Sequence, residues 1–241
     1  MLRSVLALIV TLAACSKGTA PGTVDAASKD ASGVEITPAY HHTISIDGLD
    51  DFVAAEQLPT TSAGYDARIS WDEQNLYIGY SGADLDPAVV DAATKWLFVY
   101  VDVDPGTANG AATSETYNTQ GAAFPTGFRP DYYVRWKADA TLLTLKKLDA
   151  AAWVDDPAVP PAARGGNFVE IAVPRAVLGG GTAMQVVTWM INEKNGAEGS
   201  YAGLYSDNFT DGYFAALPLS KVLKIDFTAT RDPNDAANQG P

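Results

Sequence analysis

Between residues 40 and 230, apolar side chains recur at every second position in short runs, and polar or Gly/Pro clusters separate the runs. Residues 67–71 and 76–80 flank a polar quartet at 72–75, a pattern that predicts a β-hairpin. The run 96–102 is rich in β-branched and aromatic residues and predicts a buried strand. Residues 131–137 and 142–148 predict a second pair. Residues 168–173 alternate and stop at Pro174, while 185–191 and 222–227 read as further strands. Residues 43–46 alternate ahead of an Asp47-Gly48 turn. Residues 50–56 and 176–178 predict single helical turns. No stretch carries a long helical period, and no segment repeats. About nine or more strands separated by turns predict an all-β fold, an antiparallel β-sandwich. A long Gly/Thr-rich insertion at 106–130 has the length and polarity of a functional or mobile loop.

The two ends depart from this pattern. Residues 1–14 hold Arg3, an apolar run and then small residues, which is the plan of a signal peptide and is too short for a membrane span. The run Leu12-Ala13-Ala14-Cys15 resembles the bacterial lipobox, in which the cysteine is lipidated. Several acyl chains on one residue anchor a protein far more firmly than one chain does. With Ser16 next, the resemblance implies a lipoprotein of the outer membrane, anchored by palmitate-type acyl chains. Residues 15–39 lack large apolar groups and read as the lipidated Cys15 and a flexible tether. Residues 40–230 form the sandwich domain, and the polar run 231–241 reads as a loose tail.

Composition narrows the function. Cys15 is the only cysteine, so a disulfide framework within one chain is excluded. A net charge of −13 argues against nucleic acid as partner, because phosphate binding needs clustered Lys and Arg. The two histidines, His41 and His42, are adjacent; in an extended chain they point to opposite sides and chelate poorly, so they read as exposed. No phosphate loop, nucleophile elbow or His-Glu-x-x-His motif is present, which argues for a protein without catalysis.

Four short motifs, in order, are similar to those of family 9 carbohydrate-binding modules, within the wider DOMON-like β-sandwich group. Ile44-Ser45-Ile46-Asp47-Gly48 resembles the family's opening. Trp71-Asp72 with Leu76-Tyr77 resembles its hairpin, and Asp102-Val103-Asp104 with Gly106 its acidic strand end. Phe168 through Pro174, with Glu170 inside, resembles a later strand. The resemblance implies binding of an extracellular or cell-surface glycan. It places Asn192 and Glu193 at the position of a family polar pair, and Tyr205 near a clamp tryptophan. The run from Lys95 to Phe98 lacks the acidic residue that sugar-binding members carry there.

Sugars offer apolar C–H faces and hydroxyl rims, so a site needs an aromatic platform beside fixed polar groups. Trp96, Tyr133, Arg135, Asn192, Glu193 and Tyr205 are the candidate set; Tyr133 and Arg135 share one face of their strand. Asp102 and Asp104, two apart at a strand end, converge on one face and suit calcium; Asp47, Asp50 and Asp131 are further oxygen donors. Two other readings compete. A DOMON-type haem module would draw Met184 or Met190 and a histidine as axial ligands. A structural lipoprotein would use the sandwich for protein contacts.

Overall fold

The computed structural model describes residues 28–29, 35–36, 39–89, 91–194 and 198–241. The chain divides into two units, Met1–Pro38 and Ala39–Pro241. The signal peptide and Cys15 lie outside the described residues. Within the first unit, in the stretch read as a tether, β1 (Ser28–Lys29) pairs antiparallel with β2 (Glu35–Ile36). Among the described residues no helix is long and apolar enough to cross a membrane.

The second unit is all-β. Its strands in chain order are β3 (Gln57–Pro59), β4 (Asp66–Trp71), β5 (Asn75–Ser81), β6 (Lys95–Asp102) and β7 (Ala122–Ala123). There follow β8 (Tyr132–Lys137), β9 (Leu143–Asp149), β10 (Ala152–Asp155), β11 (Ala162–Gly165) and β12 (Phe168–Pro174). The last are β13 (Ala183–Asn192), β14 (Gly199–Tyr201), β15 (Leu217–Pro218), β16 (Val222–Asp226) and β17 (Gln239–Gly240). One antiparallel sheet has the order β10-β9-β8-β6-β13-β16-β17, with β14 also on β13. The other has the order β11-β12-β5-β4-β3. The two form a β-sandwich.

Alternation on β6 decides how the sheets pack. Leu97, Val99 and Val101 join Ile69, Ile78, Val169 and Ile171 of the facing sheet in the main core. Trp96, Phe98 and Tyr100 point the other way, away from the facing sheet. They form a second core with Tyr133 and Trp189, closed over by Ala122, Phe128, Leu217 and Leu219. Tyr100 stacks on Trp189 with centroids 5.2 Å apart and planes 7° apart. Such offset stacking adds to the burial of the ring areas. The insertion at 106–130 is therefore a cover for an aromatic sheet face, and the short parallel pair β7–β15 fastens it. This is why a polar segment so long keeps one fixed course.

Several local expectations change. Residues 43–46 join no sheet; Ile44 is buried with Tyr77 and Ala172 while the backbone runs beside β4, with the His42 N–H donating to the Trp71 carbonyl (2.9 Å). Only Ala54–Glu56 of the first expected helical turn winds, as a 3-10 turn, and residues 176–178 form a hydrogen-bonded turn. The C-terminal run is docked rather than loose. β17 pairs with β16, and Asn234 bonds to the carbonyls of Ala54 and Ala55. His41 is exposed, but His42 is half-buried, its Nδ1 2.8 Å from Oε1 of the fully buried Glu56. Glu56 also accepts from Tyr40, from Ser70 (2.5 Å) and from the Val53 N–H (2.7 Å), so this carboxylate is a fastening for the chain's entry into the domain.

Candidate functional site

The acidic strand end comes first. Asp102 closes β6, Asp104 follows two residues on, and Asp131 stands just before β8. The backbone brings Asp131 across: its N–H donates to the Val101 carbonyl (2.9 Å), and its Oδ2 accepts from the Val103 N–H (3.1 Å). One carboxylate oxygen from each of the three residues lies within 4.8 Å of the other two. Asp102 is 1 % exposed, and its oxygens accept from the N–H groups of Arg129 (2.9 Å) and Asp104 (3.2 Å). Burial, with the neighbouring charges of Asp131 and Asp104, pushes its carboxyl up to about 6 despite those two bonds. Burial raises Asp131 as well, again helped by the charge on Asp104.

What this cluster lacks is positive charge. Among the described residues no lysine or arginine pairs with any of the three carboxylates. Oδ1 of Asp104 is buried without a donor. So is Oε1 of Gln185, the residue directly opposite Asp102 in the β13–β6 ladder. Orphaned acceptor oxygens beside three mutually repelling carboxylates fit an oxygen-seeking cation, and flexible carboxylate and amide ligation suits calcium.

The second place is the outer face of β8, β6 and β9. Tyr133 and Arg135 on β8 share one face, as expected, and Trp96 on β6 lies on that same face of the sheet. The Arg135 guanidinium sits 5.3 Å from the Tyr117 ring centroid and 5.5 Å from that of Trp96. Those rings are themselves 4.8 Å apart, so the guanidinium rests against a ring pair made by the covering segment and the sheet together. Glu193 stands at the rim; burial and this carboxylate push the Tyr117 hydroxyl up to about 12, with Arg135 pulling the other way. Thr144 on β9 is directly opposite Arg135 in the ladder. Trp153 meets Tyr133 edge-on at 5.0 Å and is only partly buried. The face therefore offers half-exposed aromatic edges beside polar groups.

Not all of the candidates are open on this face. Trp96 and Tyr133 are buried, at 4 % and 0 % exposure, so they support the face from beneath rather than forming its surface. Asn192 shares the Met190 face of β13 and lines a separate hollow of about 210 Å³ with Asp84, Lys95 and Tyr201. Tyr205 is not an open clamp. Its backbone is left-handed (φ 69°), its N–H donates to the Pro59 carbonyl (2.8 Å), and its ring is 6 % exposed in the main core. A loop aromatic in Gly/Ser surroundings reads as a recognition residue, but here the left-handed turn folds it inward. Met184 and Met190 are buried in the same core, among Val186, Leu223 and Ile225. Tyr117, Thr144 and Trp153 were not among the sequence candidates. Thr144 was accessible through register, because a strand pair that puts Val134 opposite Leu145 also puts Arg135 opposite Thr144. Tyr117 carries no such signal, being placed by the fold of the covering segment.

Two of the four motif matches prove to be structural fastenings. Asp72 accepts from the Tyr77 hydroxyl (2.6 Å), from Thr43 (2.8 Å) and from the N–H groups of Gln74 and Asn75. Burial raises its carboxyl, but these bonds outweigh that and hold it below the usual carboxylate range. Glu170 accepts from the N–H groups of Asp47 (2.6 Å) and Gly48 (2.5 Å). The chain matches no protein-family model, no curated protein and no solved structure.

Proposed function

We propose that this chain is a non-catalytic, surface-anchored carbohydrate-binding lipoprotein whose sandwich resembles family 9 carbohydrate-binding modules and is stabilised by calcium. The observation that carries the reading is Arg135, resting against the Trp96–Tyr117 ring pair on a face with half-exposed Tyr117 and Trp153. Flat apolar edges next to a fixed fork of N–H donors are what a sugar ring with its hydroxyl rim requires. Asp102, Asp104 and Asp131 would hold the cation, with Gln185 beside them. The bound ion supplies positive charge that quenches their repulsion. The segment 103–131, which carries Asp104 and Tyr117, starts and ends at this cluster, so the ion fixes both of its ends. Binding at the face thereby depends on order at the strand end.

Two outcomes test the reading. A panel of extracellular glycans offered to calcium-loaded protein should yield a binder, and Tyr117→Ala should weaken it about tenfold or more, the scale of a lost interfacial aromatic. Silence across the panel would overturn the glycan reading in favour of protein contacts. The lipid anchor is tested separately. Cys15→Ser should move the protein from the detergent phase to the aqueous phase on partitioning; unchanged partitioning would refute lipidation at Cys15.

A further inference from the structure

We infer that the glycan taken by the outer face is acidic, its carboxylate or sulfate group received by Arg135; this rests on the glycan reading above. Three polar atoms of this face are buried without a partner: Nε of Arg135, Nε1 of Trp96 and Oγ1 of Thr144. Trp96 is itself 4 % exposed. The guanidinium and indole N–H groups can only donate, and the threonine hydroxyl can donate as well. These residues adjoin one another: Arg135 faces the Trp96 ring, and Thr144 is its ladder neighbour. A cluster of donors without acceptors calls for a ligand rich in acceptor oxygen. Trp96 lies beneath the face, so the group a ligand meets there is the half-exposed Arg135, whose guanidinium only donates.

Charge points the same way. Of the three cations on this face of β8 and β9, Lys137 pairs with Asp139 (3.2 Å), and Lys146 pairs with Glu115 (3.2 Å) and lies 3.8 Å from Asp155. Arg135 alone has no carboxylate within ion-pair distance among the described residues. Glu193 at the Tyr117 rim and Glu115 beside Tyr133 also face this region. They exclude extended polyanions but leave the guanidinium fork to a single anionic group, which a planar carboxylate can meet with two parallel bonds. The Trp96 and Tyr117 rings pack against the guanidinium, and its planar fork is pre-organised, so little side-chain freedom is lost on binding. The ligand class is thus a saccharide with one acidic group against Arg135 and its ring face toward Tyr117 and Trp153.

The test is calorimetric titration of the whole calcium-loaded protein with three probes of the same length: an oligosaccharide ending in a single uronic acid, one carrying a single sulfate, and a neutral one. The expected result is at least tenfold tighter binding of one acidic probe than of the neutral one, weakening with added salt. Which acidic probe wins distinguishes carboxylate from sulfate. Arg135→Gln should abolish that preference, and Arg135→Lys, which keeps the charge but loses the fork, should retain part of it. Melting curves of both variants check that the fold persists. Equal affinity for acidic and neutral probes, or an acidic preference that survives Arg135→Gln, would overturn the inference while leaving the glycan reading intact. Absence of binding to all three and to the wider panel would overturn both.

Discussion

Calcium added to metal-free protein should raise the melting temperature by about 5–10 °C. At a hundredfold excess over its dissociation constant a ligand of the native state contributes about 2.7 kcal/mol, and a domain of this size moves about 2–4 °C per kcal/mol. The gain originates at Asp102, Asp104 and Asp131, which hold three carboxylates together without a lysine or arginine partner among the described residues. Asp104→Asn keeps the shape but removes one charge, so it should raise the melting temperature of the metal-free protein and cut most of the calcium response. The pH dependence has a definite sign. The Asp102 carboxyl is raised in the folded chain to about 6, above its unfolded value. Its contribution is fully present below the unfolded value and is lost as pH rises through about 6. Metal-free protein therefore becomes more stable as pH is lowered from 7 toward 5 at this site. Bound calcium should remove that slope by favouring the charged form. Thermal melts at pH 5 and 7, with calcium and with chelator, check both statements; melts indifferent to chelator and calcium would make the cluster a turn and nothing more.

That cluster was half legible in the sequence. Alternation on β6 places Asp102 and Asp104 at one strand end, but Asp131 is 27 residues beyond Asp104 and reaches them only through the pairing of β6 with β8. The strands β4, β5, β6, β8, β12, β13 and β16 were visible because each buries at least one continuous face, and β9 because Leu143 and the buried Leu145 recur at alternate positions. β11 reads Ala-Ala-Arg-Gly and β17 reads Gln-Gly; neither has an apolar period, and each forms because a long neighbour offers an unpaired edge. The opposite failure occurs at 43–46, where alternation is present without a ladder. Ile44 is buried, but no edge receives its backbone. Tyr205 misleads for a third reason: composition sees a polar loop, whereas a left-handed backbone turns the ring into the core.

Glu170→Ala should cost about 3–6 kcal/mol, whereas Glu170→Gln should cost about 1 kcal/mol or less. Glu170 stands mid-strand on β12, opposite Ala163 of β11 and Gly79 of β5, and is fully buried. Its Oε1 accepts the two successive N–H groups of Asp47 and Gly48, which no sheet neighbour satisfies. Gly48 holds φ at 89°, and a Cβ there would stand 2.9 Å from the Arg164 backbone on β11, so the loop is pressed against the sheet edge. Alanine would leave the buried Gly48 N–H unmet at about 1–3 kcal/mol, would leave the Asp47 N–H only the Ser45 carbonyl, and would open a cavity besides. Glutamine keeps the accepting oxygen at the same reach. It also drops a charge that the site resists: burial raises the Glu170 carboxyl against the two N–H bonds, with Asp51 and Asp47 adding repulsion, and Oε2 is buried without a donor. By the same linkage as at Asp102, the wild-type contribution is present below the unfolded value and fades as pH rises through the folded one. Glu170→Gln should therefore flatten that part of the pH profile while Glu170→Ala lowers stability at every pH. Urea unfolding of the three proteins at pH 5 and 7 decides it. Equal losses for the two variants would mean that Oε1 is not what holds residues 47 and 48 in place.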